Sequence, residues 1–384
     1  MLPLLYVSTL THFTVFGMFL AGLQLYLVDG LGASESMVGL TVGAFFFSSV
    51  ALRPMIGRRI DRVGRRPFLI GSLLAFAVAT GLFVLASSVP VMILLRLLQG
   101  AAGGTMYTTA ASIVVDLTPP TRRGHAIARF SLFLYGGIAL GAVIAEQSSR
   151  AIGFPATWLV ATALAVVALA FAVPIPESSK VSEHRSAPAG IGRIVHPMAL
   201  VPGLVLLMPS IAFAGVAGFG SLYAREIGLA TPDLLYAALA LTVIVVRLFA
   251  GALADRHGHR RASYPSLGFT ICGLALLAWS PIPAAAVVAV MLFGVGFALL
   301  LPALLAFVAN AVPEPERAEA LATFTAFLDL GMGLGGYLVG AIAQVSSFAS
   351  AYTLTALLCL VSVGLLLRVP AMPAGLSGEA DPAS

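Results

Sequence analysis

Residues 53–66 read Arg53-Pro-Met-Ile-Gly57-Arg-Arg-Ile-Asp61-Arg62-Val-Gly64-Arg65-Arg66, and residues 247–260 read Arg247-Leu-Phe-Ala-Gly251-Ala-Leu-Ala-Asp255-Arg256-His-Gly258-His-Arg260. Arg53, Gly57, Asp61, Arg62, Gly64 and Arg66 recur as Arg247, Gly251, Asp255, Arg256, Gly258 and Arg260, each 194 residues further on. Both strings lie between long apolar runs. A charged hairpin repeated between membrane spans divides the chain into two homologous halves, and such halves typically move against each other around a shared site.

Composition supports a membrane setting. The 384 residues are 59% apolar and only 10% charged, with a mean hydropathy of +1.02. A soluble domain carries about 25% charged residues. The net charge of +5 would by itself admit nucleic acid as a partner. The placement of the arginines argues against it, because most occupy short loops between apolar runs and so set membrane orientation. Cys272 and Cys359 fall inside apolar runs without CxxC or metal spacing and read as packing residues. The N-terminus has no basic leader region and reads as a retained first span.

A bilayer core of about 30 Å needs about 20 apolar residues per helix. Twelve segments qualify, at roughly 4–29, 36–58, 67–87, 89–117, 122–148, 154–174, 199–225, 232–253, 262–280, 283–312, 317–344 and 348–369. Loops after even-numbered spans hold nearly all of the loop arginines, whereas loops after odd-numbered spans hold Arg150 and Arg225. The positive-inside rule therefore places both termini in the cytoplasm. The expected organisation is a six-helix bundle over 1–175, a cytoplasmic linker over 176–198, a second six-helix bundle over 199–370 and a disordered tail over 371–384.

Twelve spans in two parallel halves, with Gly57-x-x-x-Asp61-Arg62-x-Gly64-Arg65-Arg66 between spans 2 and 3, resemble the major facilitator superfamily. Arg96-Leu-Leu-Gln99-Gly100 in span 4 is similar to that family's second motif. Gly137-Ile-Ala-Leu-Gly141 in span 5 is similar to its third, a helix-packing motif that marks antiporters and drug exporters, although Ala142 and Ala145 replace its usual Pro and Gly. Asp329-Leu-Gly331-Met-Gly333 in span 11 resembles small bacterial efflux permeases of drugs and metabolites. The resemblance implies an all-α membrane protein of twelve transmembrane helices in two homologous six-helix bundles.

Several charges invite a role. Asp61 and Asp255 sit at helix ends where a carboxylate can face the positive N-terminus of a helix in the opposite half. The resemblance implies span 11 as the partner of Asp61, and pairs Asp116 with Arg62 or Arg65. These residues, with Gly57, Gly64, Arg66, Gly251, Arg256 and Gly258, form the expected gate; anchoring of topology is the competing reading. Asp329 lies ~18 Å into span 11, where a charge costs at least about 2.5–3.5 kcal/mol, so it is a candidate for proton coupling or for a hydrogen bond to a neighbouring helix. Arg96 reads as a cavity cation or as a side chain reaching outward, with Gln99 one turn away. Glu146 and His12 are further coupling candidates against plain helix-end and packing readings, and Tyr135 is a candidate to line the cavity. Asp29 reads as a helix-end acid. Arg53 and Arg247 read as structural gate partners at the cytoplasmic ends of spans 2 and 8. The repeat pairs Arg96, Glu146 and Asp329 with Val290, Gly340 and Tyr135, so the gate is symmetric and these charges are not.

The sequence holds no GxxxxGK[ST] loop, no HExxH and no Cys/His cluster. The expectation is therefore a gradient-driven transporter in the inner membrane, with no cofactor and no metal. It would move a small organic molecule in exchange for protons, as a monomer and without nucleic acid. Import of a sugar or organic acid on the same fold is the alternative, and a membrane enzyme or a sensor is disfavoured.

Overall fold

The computed structural model describes residues 1–119, 122–178, 195–257, 259–313 and 316–368; the side chains of 53–58, 61, 62, 124, 249–257, 259–262 and 318 lie outside that description. Within it run eleven α-helices: α1 Leu2–Leu25, α2 Glu35–Val63, α3 Arg65–Leu82, α4 Val89–Asp116, α5 Arg123–Ala172, α6 Pro197–Glu226, α7 Asp233–His257, α8 His259–Trp279, α9 Pro283–Asn310, α10 Arg317–Val345 and α11 Phe348–Leu366. Nine helical segments among the described residues are long and apolar enough to cross a membrane.

Local chemistry explains these helices. α1, α4, α6 and α9 each carry proline in the first turn, where its missing N–H costs nothing. Hydroxyls inside the spans satisfy themselves on the preceding turn: Thr9 donates to the Leu5 carbonyl, Thr80 to Phe76 and Thr109 to Thr105. This is the available solution where no water reaches the backbone.

The helix count departs from the twelve separate spans expected. Segments 122–148 and 154–174 are joined in α5, whose 50 residues would extend ~75 Å if straight, more than twice a bilayer core of about 30 Å. The direction changes at Gly153, with φ +79° and ψ 166°, followed by Pro155. A glycine that accepts positive φ and a proline that donates no hydrogen bond turn the chain without an intervening loop. The linker expected over 176–198 overlaps α6, which begins at Pro197; residues 179–194 lie outside the described residues. Cys359 is buried as expected, whereas Cys272 is exposed on its helix.

The apolar core is arranged unevenly along the bundle axis. At the end distant from the chain start, one cluster unites both halves: Phe19, Val42, Phe83 and Trp158 of the first with Val216, Phe219, Phe293 and Tyr352 of the second. At the end where α1 begins there are two clusters. Leu5, Leu69, Ile113 and Ala172 form one from the first half alone, and Leu206, Leu267, Phe307 and Leu366 form the other from the second half alone. The halves are fused at the distal end and separately packed at the terminal end.

Candidate functional site

The distal seam is built in layers. Outermost, Arg225 at the end of α6 donates to both carboxylate oxygens of Asp29 at 2.9 and 2.7 Å. Asp29 lies in a single π-helical turn, Tyr26–Gly30, that ends α1; the extra residue per turn shifts its register relative to the helix before it. Arg150 pairs with Glu146 at 2.6 Å and donates to the carbonyl of Ala230 across the seam at 3.1 Å. These four charged side chains border a pocket of about 250 Å³ with Phe154, Leu229 and Pro232.

Below the charges is a buried polar knot. The Gln24 amide donates to the Tyr236 hydroxyl at 2.7 Å, the Ser221 N–H donates to that hydroxyl at 3.2 Å, and the Ser221 hydroxyl donates to the Ala21 carbonyl at 3.3 Å. Gln24 and Ser221 are fully buried, so each of these groups needs its partner. Alongside, α2 and α10 meet backbone to backbone. A Cβ on Gly39 would land on the Gly336 carbonyl, and one on Gly43 would stand 2.5 Å from the Gly333 carbonyl.

Deepest along the seam, Arg247 of α7 crosses to Tyr135 of α5. Its Nη2 donates to the phenol at 3.0 Å, and its guanidinium carbon lies 4.5 Å from the ring centroid. The Arg247 Nε is buried without a hydrogen-bond partner.

The first half encloses a second polar centre. Arg96, 1% exposed, packs over the Phe45 and Phe19 rings at 4.6 and 5.7 Å and donates to the Gln99 side-chain oxygen at 3.1 Å. Gln99 in turn donates to the Thr80 hydroxyl at 3.0 Å. Cation–π contact and one amide thus replace hydration for this cation. His12 is equally buried, its ring 4.3 Å from that of Phe76 and its Nδ1 without a partner. Gly103 leaves the space that the Phe45 ring and the His12 imidazole share.

The junction of α2 and α3 forms a third group. Gly64 has φ +104°, a conformation suited to glycine. Glu177 caps α3 by accepting from the N–H groups of Arg65 at 2.8 Å and Arg66 at 3.0 Å. Arg65 pairs with Asp116 at 2.8 Å, one of the two partners the resemblance implied. Arg66 donates to the carbonyls of Ile175 and Val173. Gly57, Asp61, Arg62, Gly251, Asp255 and Arg256 lie on α2 and α7 with side chains outside the described residues, and Gly258 lies outside them entirely.

The candidates therefore fall into several places rather than one cavity. Gln99 does accompany Arg96. Glu146 belongs to the distal charge layer. Asp329 is buried at 8% exposure in the middle of α10, two residues before Gly331, which packs on the backbone of α6. Gly137 and Gly141 bring α5 onto the α1 backbone at Leu10 and Thr14. Two readings need correction. Asp29 is not an idle helix-end acid but one side of an ion pair between halves, and Arg247, expected at the cytoplasmic end of its span, stands at the middle of α7 and reaches Tyr135. The Gln24–Tyr236–Ser221 knot went unread, although Leu25-Tyr26 recurs as Leu222-Tyr223 at an offset of 197 instead of 194, which marks these segments as corresponding.

A family model described as Major Facilitator Superfamily matches residues 5–262 and 204–383. An uncharacterized MFS-type transporter of Burkholderia mallei (strain SAVP1) is 29% identical over 387 residues, covering 97% of this chain and 92% of the relative. Among solved structures, a bacterial homologue of the human lysosomal transporter Spinster, inward-facing and unoccupied, superimposes with a TM-score of 0.79 at 15% identity, covering 97% of this chain and 98% of that one. A point mutant of the nucleoside transporter NupG superimposes with a TM-score of 0.77 at 16% identity, covering 96% of this chain and 100% of that one.

Proposed function

The chain belongs to the Major Facilitator Superfamily, and on that premise we propose that it is a proton-coupled secondary transporter that exports a small organic molecule by alternating access. It is a multi-pass membrane transporter and not an enzyme. The observation that carries the alternating-access reading is the uneven core: one shared cluster at the distal end, two separate clusters at the terminal end. Packed interfaces of this kind are bistable, so rocking would exchange the sealed end for the open one.

The two moving bodies are the bundles 1–175 and 199–370, joined by 176–198, in a monomer that ends in the tail 371–384. Arginine placement supports a terminal end that faces the cytoplasm, in an inner membrane. The present state is then open toward the cytoplasm. The repeated Asp61 and Asp255 strings would close that side in the opposite state. Asp329 is the proposed proton carrier, since a buried acid at mid-span is retained against a cost of about 2.5–3.5 kcal/mol or more. Arg96, Gln99 and His12 supply the polar interior of the first bundle, and Glu146 responds at the distal face. The glycine pair Gly137 and Gly141 favours export over import.

Reconstitution into liposomes with an internal pH dye tests the proposal. Addition of drugs, sugars or zwitterionic metabolites should reveal one class whose movement is accompanied by opposite proton flux. Loss of that flux in Asp329→Asn, with substrate binding kept, is the expected result. No substrate-dependent proton movement in the wild type would rule out coupling, and undiminished coupling in Asp329→Asn would remove that residue from its role.

A further inference from the structure

We propose that Arg247, whose guanidinium Tyr135 occupies in the unloaded protein, is the recognition site for an anionic group on the transported molecule, a carboxylate or a phosphate. The proposal rests on the transport reading above and names its substrate class.

Position is the first argument. Arg247 lies ~21 Å along α7 from its distal start and Tyr135 ~18 Å along α5 from its opposite start, so both stand at mid-span. Tyr135 and Val246 border the shared core at its lower edge. Both Tyr135 and Arg247 are only partly buried, and theirs is the hydrogen bond between halves that lies furthest from the distal rim among the described residues. A solute entering between the separate clusters meets this pair at the point where the halves fuse.

Charge is the second argument. A guanidinium at mid-span is costly, and it presents five donors in a fork suited to a planar anion. One donor is occupied by a phenol, Nε has no partner, and no carboxylate among the described residues forms an ion pair with Arg247. The repeat sharpens this point. The offset that carries Arg53 to Arg247 also carries Tyr135 to Asp329. Of the two symmetric positions only one holds a carboxylate, and Arg247 faces the other. The negative charge that repeat symmetry would place at position 135, opposite Arg247, is replaced there by a phenol, and a substrate anion supplies it.

Geometry is the third. The contact joins α5 to α7, one helix from each half, so an anion that takes the Arg247 donors displaces a phenol belonging to the other half. Binding and movement of the halves are thereby linked at one point.

The test uses purified full-length protein in lipid nanodiscs. Thermal unfolding is followed while benzoate, succinate and phenyl phosphate are titrated beside the neutral benzamide and the cationic benzylamine. At least one anion should raise the unfolding temperature saturably, and neither counterpart should match it. Arg247→Gln should weaken that anion at least about tenfold, the equivalent of about 1.4 kcal/mol. Arg247→Lys, which keeps charge but loses the fork, should fall between. Tyr135→Phe guards against a folding artefact, since it removes the competing phenol and leaves the cation, and anion affinity should hold or rise. Equal binding of benzylamine, no response to any anion, or unchanged anion binding in Arg247→Gln would each overturn the site. The bound anion is then loaded into proteoliposomes: an anion that binds through Arg247 but is not carried defeats the transport reading and leaves the site standing.

Discussion

Arg225 and Asp29, from opposite halves of the chain, hold each other through two parallel hydrogen bonds of 2.9 and 2.7 Å at the distal rim. The fork-on-carboxylate geometry is the strong form of such contacts, yet the side chains are 48% and 41% exposed. Exposed pairs are worth about 0–1 kcal/mol, so this one orients the seam more than it holds it shut.

Asp29→Asn should therefore raise distal opening by no more than roughly fivefold. Spin-label distances across the seam would measure it. The exchanged pair Asp29→Arg with Arg225→Asp should restore the distribution; a double exchange that opens as far as the single variant would show that the pair does not act as a pair.

Tyr236 should matter more. Removing its hydroxyl in Tyr236→Phe leaves buried donors of Gln24 and Ser221 without their acceptor, a loss of about 1–3 kcal/mol. Because the knot joins the halves, the loss should appear both as a lower unfolding temperature and as increased distal labelling. Adding Gln24→Leu should recover part of it, as paired apolar replacement does. Additive losses in the double variant would argue against a coupled network.

The helix crossing of α2 and α10 gives a steric prediction. Gly39→Val places atoms on the Gly336 carbonyl, whereas Gly71→Ala enters open space. The first should force the distal seam apart and leave the fold otherwise intact, and the second should be silent. Equal distal labelling in both variants would contradict the close approach.

At the other end, Glu177→Ala should destabilise the start of α3 by about 1 kcal/mol. Glu177→Gln keeps an acceptor for the Arg65 and Arg66 N–H groups and should lose less. Hydrogen exchange in the first turn of α3 is the direct readout.

Some of this was legible in the letters. Apolar runs of spanning length, the duplicated Gly57–Arg66 string and arginine placement were enough for a two-part membrane transporter, because the bilayer demands helices of fixed length and charge-poor composition. Arg96 beside Gln99 followed from helical spacing alone, and Asp116 with Arg65 from the resemblance. The turn at Gly153 was harder to read, since a glycine before an intervening proline marks a break without saying whether a loop follows.

What the sequence by itself determined was the repeat, the uneven placement of arginines among the loops and the presence of costly charges inside spans. Only the tertiary structure decided which charges meet. Asp29 finds Arg225 across 196 positions, Gln24 finds Tyr236 across 212, and Tyr135 finds Arg247 across 112. Such pairs arise where two independently packed halves come to share one core, and no periodicity within either half encodes the angle at which they do so.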